Sequence, residues 1–422
     1  MMNKRKVCIV TTSRADFSKL EPLYQGLLNA HDVFEPILVM SGSHLLVEGG
    51  NTWRDIEQKY DVAAKAYTVV SGDTLECMAE SVSLGISKFT SIFSSLKPDC
   101  VVVHGDRFDA LAVAVTSSLL HIYTVHIEGG ELSGTIDGSL RHAITKLSHL
   151  HFVCNEQART RLLRMGEAPN TVVLTGCPSY DRFKKLNMEE ESLISVCKSW
   201  GVVPFKFAIV MQHPDTVNRD STVRDFKAIL QFFESCPDPI LFFYPNIDPG
   251  NKRIIKLLHE HQKSHQDVYR TSVKILSHVP FDEFAILLRS ATCIIGNSSA
   301  VVREACFFGT PAVLVGNRQE GRDLPRNVRA FDSLASACLV NVYKDLRGVR
   351  YAPHTSYGSG NAVDIMIAHL AESRPSTTSK IFNDACTPIK VICTQQTAVT
   401  NINGGDQVEE KVERISVAVD AT

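Results

Sequence analysis

The sequence predicts an α/β fold of two doubly wound, Rossmann-like domains facing a cleft. Three observations carry this expectation. The chain has 422 residues, more than one ordinary core holds and enough for two domains. Short Val- and Ile-rich runs recur, each followed by a polar loop and an amphipathic helix. The runs are continuously apolar rather than alternating, as parallel strands covered on both faces require.

In the first half, "KVCIV" is a buried strand, and the loop and helix after it place Leu20, Leu23, Tyr24, Leu27 and Leu28 at helical spacing. "FEPILVM", "CVVVH", "IYTV", "HFVC" and "TVVL" repeat the strand signal. A helix and linker follow around residues 185–204, and the alternation restarts with "FAIVM", "ILFF", "VKIL", "ATCIIG" and "AVLV". The expected units are 1–185 and 200–372, followed by a polar, weakly periodic tail over 373–422 that reads as a flexible extension. In doubly wound sheets ligands bind beyond the carboxyl ends of the strands, so the polar loops after them are where chemistry is expected.

Composition narrows the partners. Lys and Arg number 44 against 46 Asp and Glu, a net charge of -2, which argues against nucleic acid or an anionic membrane as the main partner. The 12 cysteines form no CxxC pair, and Cys8, Cys100 and Cys293 lie in apolar runs, as reduced core thiols do. The opening "MMNKRKVCIV" has too short an apolar stretch for a signal peptide, and no run reaches the length of a membrane span. The expected location is the cytoplasm.

The loop "TTSRADFSK" puts Arg14 and Ser18 at a helix start, which suits a phosphate or equally an exposed Arg beside an Asp16 cap. "HGDRFD" offers Asp106 and Arg107 past a strand; Asp109 is a second candidate cap, which frees Asp106. "HIEGGELSGTIDG" adds Glu128, Glu131 and Asp137. Asp137 reads either as a helix cap or as an acid, and Glu131 as a surface or supporting carboxylate. If Asp106, Glu128 and Asp137 converge, crowding raises their proton affinity, so one holds a proton while another accepts one. His213 in "QHP" becomes a third proton carrier if it faces Asp106 and Glu128.

"IIGNSSAVVRE" ends a strand at Gly296 and offers Ser298 and Ser299 as caps of a helix whose free N–H groups suit a diphosphate, with Glu304 for ribose hydroxyls and Arg318 beyond the next strand. "HVPFDEF" offers backbone groups and aromatic faces for a base. No GxxxxGK[ST], GxGxxG or HExxH pattern occurs, and the run "HEHQKSH" reads as a solvated helix surface rather than a metal site.

Taken together, "RADFSKL", "SGSHL", "HGDRFDALA", "HIEGGELSGTIDGSLRHAITKL", "GCPSYD", "QHP", "PNID", "HVPFDEF", "IGNSS" with "VRE", and "YGSGNAV" resemble the hydrolysing UDP-N-acetylglucosamine 2-epimerases. The similarity is greatest to the epimerase half of the animal bifunctional epimerase/N-acetylmannosamine kinases. The resemblance implies a GT-B-like architecture. It also implies conversion of UDP-N-acetylglucosamine and water to N-acetylmannosamine and UDP, the first step towards sialic acid, with no cofactor or metal. By position it implies Asp106, Glu128 and Asp137 as catalytic acids with His213 beside them, and Arg14, Ser18, Arg107, Asn246, Val279, Ser298, Ser299, Glu304 and Arg318 around UDP.

The resemblance further implies homodimers or homotetramers and feedback by CMP-sialic acid at a subunit contact, for which Lys252, Lys256, His259 and His278 are the candidate positions. Lys252 matches, but Lys256 and His259 stand where Arg is expected, and neither reproduces a bidentate Arg contact; feedback is therefore expected to be weak. The closing "ISVAVDAT" resembles the first strand of a sugar-kinase domain. Two other readings are a GT-B glycosyltransferase, which leaves three acids unexplained, and a non-catalytic nucleotide-sugar sensor, which predicts a lost carboxylate.

Overall fold

The structure, a computed structural model, describes residues 4–47, 50–246, 248–277, 279–333, 336–373, 378–380 and 383. The first unit is built on β1 (Arg5–Thr11), β2 (Phe34–Ser41), β3 (Ala64–Ala66), β4 (Cys100–His104), β5 (Tyr123–Ile127), β6 (Leu150–Val153) and β7 (Val172–Leu174). The second is built on β8 (Ala208–Met211), β9 (Ile240–Phe243), β10 (Val273–Leu276), β11 (Cys293–Gly296), β12 (Ala312–Val315) and β13 (Val328–Phe331). The orders are β3-β2-β1-β4-β5-β6-β7 and β10-β9-β8-β11-β12-β13, and the strand pairs are parallel.

The apolar runs are buried on both faces because successive strand residues point to opposite sides. On β4, Cys100 and Val102 pack into one core cluster, and Val101 and Val103 into another. β8 divides likewise, with Ala208 and Val210 on one side and Ile209 on the other. Each sheet thus has a helical layer on either face, and the order in which strands are added reverses beside β1 and β8. These are the switch points where such folds hold ligands.

The short edge strands β3 and β13 went unread, since "AKA" and "VRAF" carry no continuous apolar signal. The unit boundaries also differ from the expected ones. Tyr180 and Phe183 of the helix Pro178–Lys185 lie in a core of the second unit. Ala362, Met366 and Leu370 of the helix Ala362–Glu372 lie in the first unit's core with Leu20, Leu23 and Leu27. The two crossover segments touch where Cys177 N–H donates to the Tyr357 carbonyl at 2.6 Å. Gly176 is required there: its φ is +84°, and a Cβ would come within 2.7 Å of the Gly358 Cα.

Part of the expected tail is docked. Lys380 Nζ donates to the Thr145 carbonyl (2.8 Å) and pairs with Glu167 (2.6 Å). Most of 373–422, "ISVAVDAT" included, lies outside the described residues. Among the described residues no helix is long and apolar enough to cross a membrane.

Candidate active site

The acids expected from sequence stand on two consecutive strand-loop-helix segments of the first unit, Asp106 after β4 and Glu128 and Asp137 after β5. After β4 the chain turns at Gly105, whose φ is +76°. The Gly105 carbonyl accepts from His126 Nε2 at 2.8 Å, which anchors the turn that presents Asp106. Glu128, directly after β5, has a φ of +66°, a left-handed conformation unusual for a side chain of this kind and typical of functional positions. Asp137 lies in the first turn of the helix Ile136–Leu147 but does not cap it. Thr135 does, its hydroxyl accepting from Asp137 N–H at 3.3 Å, so the Asp137 carboxylate is left for other partners.

The carboxylates meet arginines rather than one another. Asp106 pairs with Arg141, which also donates to the Glu131 carbonyl at 2.7 Å. Glu128 is gripped by both terminal nitrogens of Arg303, from the second unit. It also takes His104 Nε2 at 2.9 Å and the Cys177 thiol at 3.2 Å. Burial alone would raise its proton affinity; Arg303, His104 and Lys19 override that and hold it well below the usual carboxylate range.

Asp137 goes the other way. Burial and the nearby Asp248 push it up, against the pull of Arg318 and Arg107. Arg318 lies 3.9 Å from Asp137 and 3.6 Å from Asp248, while Arg107 binds Asp248 at 2.7 Å. The crowding expected of three acids therefore occurs between one of them and Asp248, an acid from the other unit.

In the second unit, Asn297 holds the loop after β8: its side chain accepts from His213 N–H (2.7 Å) and donates to the His213 carbonyl (2.9 Å). His213 Nδ1 accepts from Asn246 N–H at 3.2 Å, which makes Nε2 the protonated nitrogen. Burial, with Arg318 next, pushes its pKa down to about 3. His213 is thus a neutral imidazole among Arg318, Asp248, Arg14 and Arg107.

Ser298 caps the helix Ser299–Phe308 through Ala300 N–H at 3.3 Å, placing Ser299 at its first position. Glu304 pairs with Lys19 across the units at 3.0 Å. Among the described residues Glu304 Oε2 and Asn246 Oδ1 are buried without a hydrogen-bond partner, so each can accept or receive a ligand group. Arg14 donates to the Ser277 carbonyl (3.0 Å), Ser18 to the Ala15 carbonyl (2.8 Å), and Val279 is buried. Lys252, Lys256 and His259 share one face of the helix Asn251–Ser264, bordering a cavity of about 410 Å³. His278 lies outside the described residues.

The sequence profile of the UDP-N-acetylglucosamine 2-epimerase family matches residues 27–371. The chain belongs to this family. It is 33% identical over 350 residues to the UDP-N-acetylglucosamine 2-epimerase of Neisseria meningitidis, covering 81% of this chain and 89% of that one. It is also 33% identical over 348 residues to the GDP/UDP-N,N'-diacetylbacillosamine 2-epimerase (hydrolyzing) of Campylobacter jejuni, covering 79% and 88%. Its fold is that of the Methanocaldococcus jannaschii UDP-GlcNAc 2-epimerase crystallised with UDP-GlcNAc and UDP. That match has a TM-score of 0.71 at 20% identity and covers 87% of this chain and 100% of that one. The architecture is thus the GT-B-like pair of α/β units of the epimerases.

Several side chains of this epimerase fold were not singled out from sequence: Arg303, Arg141 and Asp248. Arg303 had a signal, since a charged pair inside the apolar helix "SAVVREACFF" must be neutralised when buried. Glu131 is not on the surface; it is 4% exposed and ion-paired with Arg303 and Arg322.

Proposed function

We propose that this chain is a hydrolysing 2-epimerase that converts UDP-N-acetylglucosamine and water to N-acetylmannosamine and UDP, supplying sialic acid synthesis. The observation that carries the reading is a pair of carboxylates with opposite proton affinities on the segment after β5. Glu128 is held ionised and Asp137 is pushed towards its protonated form. Such a split suits one proton acceptor and one proton donor.

The chemistry needs both. The hydrogen on sugar C2 is not acidic until the C1–oxygen bond weakens and positive charge grows at C1. The bonding pair leaves with the UDP oxygen, stabilised by Arg318 and the N-terminus of the helix capped by Ser298. Glu128 takes the C2 proton, and the C2–H electrons form the C1–C2 double bond of a glycal. Water then adds its oxygen to C1 while Asp137 delivers a proton to C2 from the opposite face, which inverts that centre. Asp106, braced by Arg141, orients the water and takes the proton it loses as its oxygen bonds to C1. His213 donates from Nε2 to the nucleotide; Arg14, Ser18, Arg107, Asn246, Val279, Ser299 and Glu304 surround it, with Glu304 accepting ribose hydroxyls.

The N,N'-diacetylbacillosamine relative is as similar as the N-acetylglucosamine one, which supports that UDP-sugar as a second substrate to assay. Incubation with UDP-N-acetylglucosamine in water, with no acceptor, should release UDP and N-acetylmannosamine in equal amounts. Accumulation of UDP-N-acetylmannosamine instead would rule out hydrolysis, and a requirement for an acceptor would make the protein a glycosyltransferase.

A further inference from the structure

We propose that Glu234, His261 and His265 form a binding site for a divalent transition-metal ion of the zinc class, on the outer face of the second unit. Glu234 ends the helix Arg219–Ser235; His261 lies in the last turn of Asn251–Ser264, and His265 is the residue that closes it. Sequence alone showed only the histidine run; the fold brings in the carboxylate from another helix.

The geometry is that of a pre-arranged two-imidazole, one-carboxylate set. Glu234 Oε1 lies 2.9 Å from His261 Nε2 and 3.7 Å from His265 Nε2. The three ligand atoms all lie within 4.8 Å of one another. Metal bonds of about 2.0–2.1 Å in a tetrahedron imply ligand–ligand edges of roughly 3.3 Å, so rotamer adjustment of at most about 1.5 Å closes the set. The rings are stacked, with centroids 4.2 Å apart and planes 17° from parallel, and the Nε2 atom of each approaches the same Glu234 oxygen.

The remaining ring nitrogens are already engaged. His265 Nδ1 lies 3.2 Å from the His261 carbonyl and 3.0 Å from the Ser264 hydroxyl. A proton on Nδ1 has the carbonyl as its acceptor and leaves Nε2, 3.7 Å from the Glu234 carboxylate oxygen, free to bind a cation. His261 Nδ1 is 2.9 Å from the Tyr269 hydroxyl. That hydroxyl can accept as well as donate, so the ring proton can move to Nδ1 and free Nε2 for a metal. A second partner on each imidazole is the usual support of a histidine ligand. Nitrogen and oxygen donors in this number suit zinc, with water completing the tetrahedron. The ion would tie the ends of two helices, one of which begins at Gly250, whose N–H binds Asp73 of the first unit at 2.5 Å.

The test uses the whole chain, stripped with chelator and titrated with Zn²⁺ by calorimetry and thermal melting, beside His265→Gln and Glu234→Gln. The chain's 12 cysteines can also take zinc, so the ion is located by anomalous diffraction at the zinc edge. The expected result is one ion per chain at these three side chains and a higher melting temperature with zinc. Affinity should be at least about tenfold weaker in each variant, while circular dichroism and turnover without metal match wild type. A peak only at cysteines, or zinc affinity unchanged in both variants, would overturn the site. An epimerase reading that failed would leave this outcome untouched, because neither variant touches the cleft.

Discussion

Arg303 and Glu128 come from different units and bind each other through both guanidinium tips, with 3% and 4% of their surfaces exposed. Such a pair ties the segment after β5 of one unit to the helix Ser299–Phe308 of the other. Its loss leaves a buried carboxylate with Lys19 as the nearby cation and His104 at 2.9 Å as a remaining partner. Arg303→Met should therefore destabilise the fold by about 3–5 kcal/mol, read by urea unfolding at neutral pH. Glu128 is depressed in the folded state, so its contribution is present above the unfolded value near 4.5 and lost as pH falls through the folded one. The gap between variant and wild type should close in acid; a constant gap would show that packing, not charge, is what Arg303 supplies.

Asp137 and Asp248 give a prediction of opposite sign. Removing the Asp248 charge lowers the proton affinity of Asp137, and it also frees Arg107 and Arg318 to act in the same direction. As Asp137 works protonated in this scheme, the alkaline limb of kcat in Asp248→Asn should move to lower pH. An upward move contradicts the assignment of Asp137 as donor.

The same environment separates function from stability. The fold disfavours ionised Asp137, so Asp137→Asn should leave stability at neutral pH within about 1 kcal/mol of wild type or above it. Turnover should fall by about 10²–10⁴-fold. A large stability loss with activity preserved would mark Asp137 as structural.

Acid should weaken the fold through buried histidines. Burial pushes His44 down to about 4 and His126 down to about 3. Below the unfolded value near 6.5, the unfolded chain takes up protons that the folded chain refuses, so stability falls with pH. From pH 7.5 to 5.5 each costs about 1.4 kcal/mol. Asp109, raised by burial to about 6, opposes this, since the folded chain gains its proton in that window, worth about 1 kcal/mol. His213, also pushed down to about 3, adds the same cost. A net loss of about 3 kcal/mol should appear in denaturant titrations at the two pH values; rising stability would show that these imidazoles titrate in the folded chain.

The doubly wound pattern was legible because parallel strands buried on both faces must be apolar along their whole length, as in "CVVVH" and "CIIG". The crossovers were not. The helices with Tyr180 and with Met366 enter the core of the other unit, and periodicity says nothing about which core an apolar face enters. The acids were legible as polar residues after strands; their partners were not. Arg303 and Asp248 become neighbours of Glu128 and Asp137 only when the two units meet, and the proton affinities follow from those contacts rather than from the acids' own spacing.

Regulation offers a further check. Lys256 and His259 lie on an exposed helix face and present point charges or a neutral ring where bidentate recognition needs Arg. CMP-sialic acid, assayed against turnover of UDP-N-acetylglucosamine, should leave the rate little changed, and Lys256→Arg with His259→Arg should increase inhibition. Strong inhibition of the unaltered chain would contradict this.

The central claim is that cleavage at C1 is coupled to proton removal at C2 within the cleft, followed by hydration. Proton NMR of the N-acetylmannosamine formed in D₂O reads this directly. The account predicts one deuterium at C2 of essentially every product molecule, with the rate collapsing in Glu128→Gln. Product that retains the original C2 hydrogen would contradict it.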